Sequence, residues 1–200
     1  MDLKSTLTAV RGNKPLVQCI TNFVTVNDCA NIILAAGGSP TMASHPLEVE
    51  EAVCGVQALV CNMGAIDKVD SMILAGKAAN RLGIPVVLDP VGAGASTFRN
   101  DTVTRILSEV KLSIIRGNLS EMSFIAGLEA STKGVDTSEA DADNDAVAVA
   151  KAVAKVAGAA VTANMSATIT ATTVTAAISN KEVFSYYDKD GNAISANDLQ

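Results

Sequence analysis

Pro85-Val86-Val87-Leu88-Asp89-Pro90-Val91-Gly92-Ala93-Gly94 is the stretch that decides the fold class. Val86, Val87 and Leu88 form an apolar run of the length expected for a strand buried on both faces. Asp89-Pro90 ends the run, because Pro90 has no N–H for a ladder and Asp89 favours a turn. Gly92 and Gly94 let the backbone approach a ligand closely. In open α/β sheets, ligands bind beyond the carboxyl ends of the strands. A carboxylate at such an end, followed by a glycine-flanked turn, suits magnesium and phosphate chemistry. The same ten residues also suit an ordinary strand-to-helix turn.

The pattern repeats in both directions from this stretch. Strands are expected at Leu16–Ile20, Ala58–Cys61, Ile84–Leu88, Leu112–Ile115 and Ala159–Ala163. Between them lie helical periodicities. Asn27–Ala36 ends in Gly37-Gly38, a C-cap signal. Pro46 opens a helix whose early turns carry Glu48, Glu50 and Glu51. Ile66–Leu82 places Ile66, Val69, Ile73 and Gly76 on one face and stops at Gly83. Val103, Ile106, Leu107 and Val110 recur at i, i+3, i+4, i+7. Asn118-Leu-Ser-Glu121 resembles a capping box opening a helix to about Ala126. Asp145–Ala157 forms a last helix closed by Gly158, and Leu3–Val10 a short first one. Ser39-Pro40 is expected to break the chain, and the polar, acidic run Ser131–Asn144 to form a surface loop. Strands alternating with helices imply βαβ units and a parallel sheet. The fold class is therefore α/β, with residues 1–163 as one core.

Bulk composition agrees. Two hundred residues suit one sizeable α/β domain, with or without a small appendage. Apolar residues make up 48% of the chain and aromatics only 3%, with no Trp, so the core must be Ala, Val, Ile and Leu. The net charge is −6 and no basic run exists, which argues against nucleic acid and anionic membranes as partners. No apolar stretch reaches the length of a membrane span, and a cytoplasmic protein is expected. Cys19, Cys29, Cys54 and Cys61 form no C-x-x-C pair, and His45 is the single histidine, so zinc is not expected. Each cysteine sits in an apolar run and is expected to be a small buried hydrophobe. His45 reads as a loop residue.

After residue 163 the character changes. Asn164–Ile178 is rich in Thr and Ala, Val183–Tyr187 is strand-like, and Asp188-Lys-Asp-Gly-Asn192 is a turn signal. Residues 164–200 are expected to be an atypical β-rich tail. Asp188, Asp190 and Asn192 echo the start of an EF-hand loop. Ala193 stands at its glycine position and no Glu closes it, so a hairpin turn fits better.

Taken together, the strand ends are Cys-Ile-Thr-Asn-Phe-Val-Thr (19–25), Gly-Gly-Ser-Pro-Thr-Met (37–42), Cys-Asn-Met-Gly (61–64), Leu-Asp-Pro-Val-Gly-Ala-Gly (88–94) and Ile-Arg-Gly-Asn-Leu-Ser-Glu (115–121). In order and spacing they closely resemble hydroxyethylthiazole kinase, a thiamine-salvage enzyme of the ribokinase-like superfamily, over residues 1–163. The resemblance implies a three-layer α/β/α fold with a mostly parallel sheet. It implies transfer of the ATP γ-phosphate to 4-methyl-5-(2-hydroxyethyl)thiazole with Mg2+, by homotrimers with thiazole sites at subunit interfaces.

By resemblance, Met42 contacts the thiazole, with Asn22 and Gly64 on the same wall. Arg116 and Thr162 contact ATP, and Asp89 and Glu121 lie near magnesium. Each residue also has a plainer role open to it: a surface ion pair for Arg116, capping-box closure for Glu121, core packing for Met42 and a turn for Asn22. The family's Gly-Thr-Gly-Cys turn, with its catalytic Cys and anion hole, has no match. Residues 164–200 hold neither Gly-x-Gly nor Cys, and the resemblance assigns no catalytic residue to this chain. A non-catalytic thiazole-binding or subunit-interaction module, or a fragment or chimera, is the alternative reading.

Overall fold

A computed structural model describes residues 3–127, 146–165, 172–175, 186–187 and 193–194, with side chains over 4–127 and 149–159. The elements run α1 (Leu3–Asn13), β1 (Leu16–Ile20), α2 (Val26–Ala36), β2 (Ser39–Thr41), α3 (Val49–Val53) and β3 (Ala58–Asn62). They continue with α4 (Val69–Leu82), β4 (Val86–Asp89), α5 (Thr97–Glu109), β5 (Ile114–Asn118), α6 (Leu119–Ile125), α7 (Ala146–Ala157) and β6 (Ala160–Met165). Three short strands follow: β7 (Thr172–Thr175), β8 (Tyr186–Tyr187) and β9 (Ala193–Ile194).

Seven strands form one sheet in the order β2-β1-β3-β4-β5-β6-β7, and β8 pairs with β9 separately. Every neighbouring pair from β2 to β6 is parallel, and β7 returns antiparallel to β6. The connections β3–α4–β4 and β4–α5–β5 step the same way across the sheet. Right-handed crossovers therefore put α4 and α5 on one face, while β1–α2–β2 steps the other way and puts α2 opposite. The result is the expected three-layer α/β/α fold. The step direction reverses at β1, so a switch point opens between the ends of β1 and β3.

Alternation along the strands shows where the core sits. Leu59 and Cys61 of β3, Val86 and Leu88 of β4, and Ile115 of β5 are buried, and α4 meets that face with Met72, Ile73, Ala75 and Ala79. Each fully buried Leu or Ile contributes roughly 1.5–3 kcal/mol. Gly76 lets α4 close on the end of α5, since a Cβ there would lie 2.6 Å from Val110 Cγ1. Gly37 and Gly83 take left-handed backbone at the C-caps of α2 and α4, as their positions predict.

Four expectations need correction. Ser39-Pro40 does not break the chain: it forms β2, with Pro40 opposite Val17. An edge strand needs its N–H groups on one side only, so proline is tolerated there. The strand expected to stop at Ile115 runs on through Arg116-Gly117-Asn118, because Asn118 is the N-cap of the following helix rather than a loop residue. The helix expected from Ile66 begins with a 3-10 turn, Ile66–Lys68, and becomes α-helical at Val69. Cys54 is exposed at the end of α3 rather than buried, whereas Cys19 and Cys61 are buried. Burial pushes the Cys61 thiol up to about 12, with Cys19 adding to it, so it stays protonated. The expected loop Ser131–Asn144 and the turn Asp188–Asn192 lie outside the described residues.

Candidate functional site

The parallel strands bring their carboxyl ends to one edge of the sheet, and the sequence-predicted residues gather there. Ladder register sets Asn62 opposite Asp89, and Arg116 opposite Thr162. From those positions the side chains of β3, β4 and β5 form a chain of bonds. Arg116 Nη1 donates to Asp89 Oδ2 at 2.8 Å, and Asn62 Nδ2 donates to the same oxygen at 3.2 Å. Burial pushes the Asp89 carboxyl above its ordinary range, while the Arg116 guanidinium pulls it back down.

Glu121 stands behind this pair. Its carboxylate accepts the Gly92 N–H and the Asn118 N–H, each at 2.9 Å, while its own N–H donates to Asn118 Oδ1. The capping box read from Asn118-x-x-Glu121 is therefore present. It does more than cap α6, because the bond to Gly92 fastens the turn after β4 to the end of β5. Burial raises the Glu121 carboxyl most, the two backbone N–H bonds oppose it, and the charge of Asp89 adds to it. Gly117 keeps space for this carboxylate, since a Cβ there would lie 2.8 Å from Glu121 Oε2. Gly92 has φ +78° and lies under Arg99, so a side chain at that position would be strained.

The second cluster lies at β1 and β3. Asn22 Oδ1 accepts the N–H groups of Val24 and Thr25, each at 3.0 Å, which gives Asn22 the turn role. Its Nδ2 faces Gly64, where an added Cβ would lie 2.5 Å from Asn22 Nδ2 and 2.6 Å from Asn62 Oδ1. Met42 follows edge strand β2 and is half-buried. Its loop is held by fully buried Gln18, whose Nε2 donates to Ala43 O at 2.9 Å. His45 lies in the same loop, as expected, and accepts the Leu47 N–H.

The structure thus joins Asp89, Arg116 and Glu121 in one cluster, and Asn22 and Gly64 in another. Met42 stands apart on the β2 side, and Thr162 is placed by its strand register. Sequence reasoning missed Asn62, Gln18 and Arg99. Asn62 carried a signal, a polar residue ending a strand beside Asp89. Arg99, whose Nη1 donates to Met63 O at 3.1 Å and Val91 O at 2.6 Å, carried none.

The donor set at Asp89 and Glu121 is hard oxygen. Among the described residues no group of three or more His, Cys, Asp or Glu side chains converges to hold a metal. Two carboxylates, already engaged by N–H donors but with lone pairs left, fit a hydrated magnesium that also takes phosphate oxygens. Among the described residues, no helix is long and apolar enough to cross a membrane.

Comparison with known proteins gives consistent matches. The model of the hydroxyethylthiazole kinase family matches residues 7–185. A hydroxyethylthiazole kinase of Clostridium botulinum (strain Eklund 17B / Type B) is 57% identical over 147 residues, covering 72% of this chain and 53% of that protein. One of Ruminiclostridium cellulolyticum is 56% identical over 146 residues, covering 72% and 54%. The solved structure of a hydroxyethylthiazole kinase protein from Pyrococcus horikoshii OT3 has a TM-score of 0.69 at 37% identity, covering 80% of this chain and 59% of that one. The chain spans about half the length of the curated relatives it matches.

Proposed function

The chain belongs to the hydroxyethylthiazole kinase family, and from that premise we propose that the protein transfers the γ-phosphoryl group of ATP to the hydroxyl of 4-methyl-5-(2-hydroxyethyl)thiazole. The observation that carries this reading is the Asp89–Arg116 pair with Glu121 behind it. Arg116 is half-exposed and free to turn from Asp89 to a phosphate, which its planar fork can hold in two bonds. Asp89 and Glu121 would hold magnesium, Glu121 through water, and Thr162 would meet the nucleotide. Bound magnesium supplies positive charge at the phosphate oxygens. Asn22 and Gly64 would meet the thiazole from one side, and Met42, on the β2 side, would offer a polarizable apolar surface to the ring.

A homotrimer with shared thiazole sites suits the surface beside that wall. Phe23, Val24 and Leu47 are 89%, 69% and 90% exposed, apolar side chains that a neighbouring subunit would cover. The family reading carries a cytoplasmic location with it, and treats residues 1–163 as the core and 164–200 as a β-rich tail.

Residues 164–200 offer no Gly-x-Gly and no Cys. Calorimetry and a coupled ADP-release assay with the thiazole alcohol, ATP and magnesium test the proposal. Thiazole binding with thiazole-dependent ADP release supports it. Binding without any ADP release would leave this chain the binding role alone. No binding of either ligand at millimolar concentration would overturn it.

A further inference from the structure

Asn62 ends β3, and its single side chain meets both walls of the site. Oδ1 accepts the Gly64 N–H at 2.7 Å, while Nδ2 donates to Asp89 Oδ2 at 3.2 Å. These partners fix the amide's orientation: Gly64 offers a donor and the carboxylate offers acceptors, so a flipped amide would set like against like at both ends. The ladder holds Asn62 opposite Asp89. Gly64 leaves no room for a side chain, because the space a Cβ would take lies 2.6 Å from Asn62 Oδ1. A planar amide cannot move one end without moving the other.

Asp89 Oδ2 is shared between Arg116 Nη1 and Asn62 Nδ2. A phosphate that draws Arg116 away leaves Asn62 as the remaining side-chain donor among these two, and the shift reaches Gly64 through Oδ1. The two turns do not depend on Asn62 alone, because Arg99 binds the carbonyls of Met63 and Val91 and ties the same turns together.

We propose that Asn62 is a positioning residue that couples the thiazole wall to the magnesium–phosphate wall, so that filling either raises affinity at the other. The inference rests on the thiazole-kinase reading of Asp89 and Gly64. Because binding linkage is reciprocal, the effect can be read from either ligand.

The test is calorimetry of the thiazole alcohol on the whole chain, with and without saturating magnesium and a non-hydrolysable ATP analogue. Wild type, Asn62→Asp and Asn62→Ala are compared, each with a thermal melt. In wild type the nucleotide is expected to tighten thiazole binding by about fivefold or more. In both variants the factor is expected to fall below about twofold, within the loss of a coupling of that size. Asn62→Asp keeps an acceptor for the Gly64 N–H, so its thiazole affinity without nucleotide is expected to fall less than that of Asn62→Ala. Asn62→Ala loses that bond and is expected to bind about tenfold more weakly. A wild-type factor near one, or a wild-type factor retained in Asn62→Ala, overturns the proposal alone. Unfolding of both variants would make Asn62 a structural residue and also overturn it. Failure of wild type to bind either ligand would overturn the thiazole-kinase reading and this proposal with it.

Discussion

The ends of β4 and β5 and the ends of β1 and β2 serve one edge of the same sheet, but they are finished in opposite ways. At β4–β5, Arg116 bonds to Asp89, while buried Glu121 bonds to Asn118 and to the turn at Gly92. At β1–β2, Asn22 spends its carbonyl on its own turn, Met42 is half-buried, and Phe23 and Leu47 stand almost wholly exposed. The first wall is set by one chain before any ligand arrives, and preorganised charge is what phosphate chemistry requires. The second leaves apolar side chains open to solvent.

The largest expected effect breaks the preorganised wall. Glu121→Ala strips the partner from the N–H groups of Gly92 and Asn118 and should cost about 2–4 kcal/mol. For a domain of this size that is a fall of roughly 4–16 °C in Tm, read by thermal denaturation. An unchanged Tm would show that the wall is held by something other than Glu121. Next comes Gly64→Ala, whose methyl must displace Asn22 Nδ2 and Asn62 Oδ1. It should cost about 1–3 kcal/mol by overpacking and weaken thiazole binding about tenfold or more, with magnesium-nucleotide binding less affected. Calorimetry with each ligand checks the asymmetry.

Asp89→Asn sharpens the comparison from the other side. Arg116 is half-exposed and can return to water, so the lost pair should cost under about 1 kcal/mol. Magnesium-nucleotide binding should fall clearly, and thiazole affinity in the absence of nucleotide should hold. A large loss of stability with normal nucleotide binding would make Asp89 a turn residue only.

The smallest effect is on pH. Burial raises the carboxyls of both Asp89 and Glu121 in the folded chain. The folded state therefore holds more protons than the unfolded one just above the ordinary carboxylate range. The stability these groups contribute is present below their unfolded pKa values and is lost as pH rises through the folded ones. Wild-type Tm should decline relative to Asp89→Asn across that rise, as melts at a series of pH values would show. The opposite slope would mean that the Arg116 pair outweighs burial.

Much of this was legible in the chain itself, because it depends on neighbours in sequence. The apolar runs at Leu16, Ala58 and Val86 became strands, and Asn118-x-x-Glu121 became a capping box, since both signals are local. β2 was missed because three residues containing Pro40 carry no strand signal until an edge accepts them. The site was visible as strand ends but not as a bonded cluster. Arg116 reaches Asp89 across 27 positions, and Asn62 does the same, through ladder register that no local pattern encodes. Cys54 was misplaced because an apolar run at a short helix end says nothing of which face solvent sees.

The contrast between the two walls is tested most directly by titrating the chain with the thiazole alcohol and with magnesium-ATP across a protein dilution series, with sedimentation reporting assembly at each step. If one chain completes the phosphate wall and a neighbour completes the thiazole wall, magnesium-ATP affinity stays constant within about twofold. Thiazole affinity then falls by about tenfold or more as the assembly dissociates, the behaviour of a ligand linked to association. A thiazole affinity independent of protein concentration, or both affinities falling together, would contradict the account.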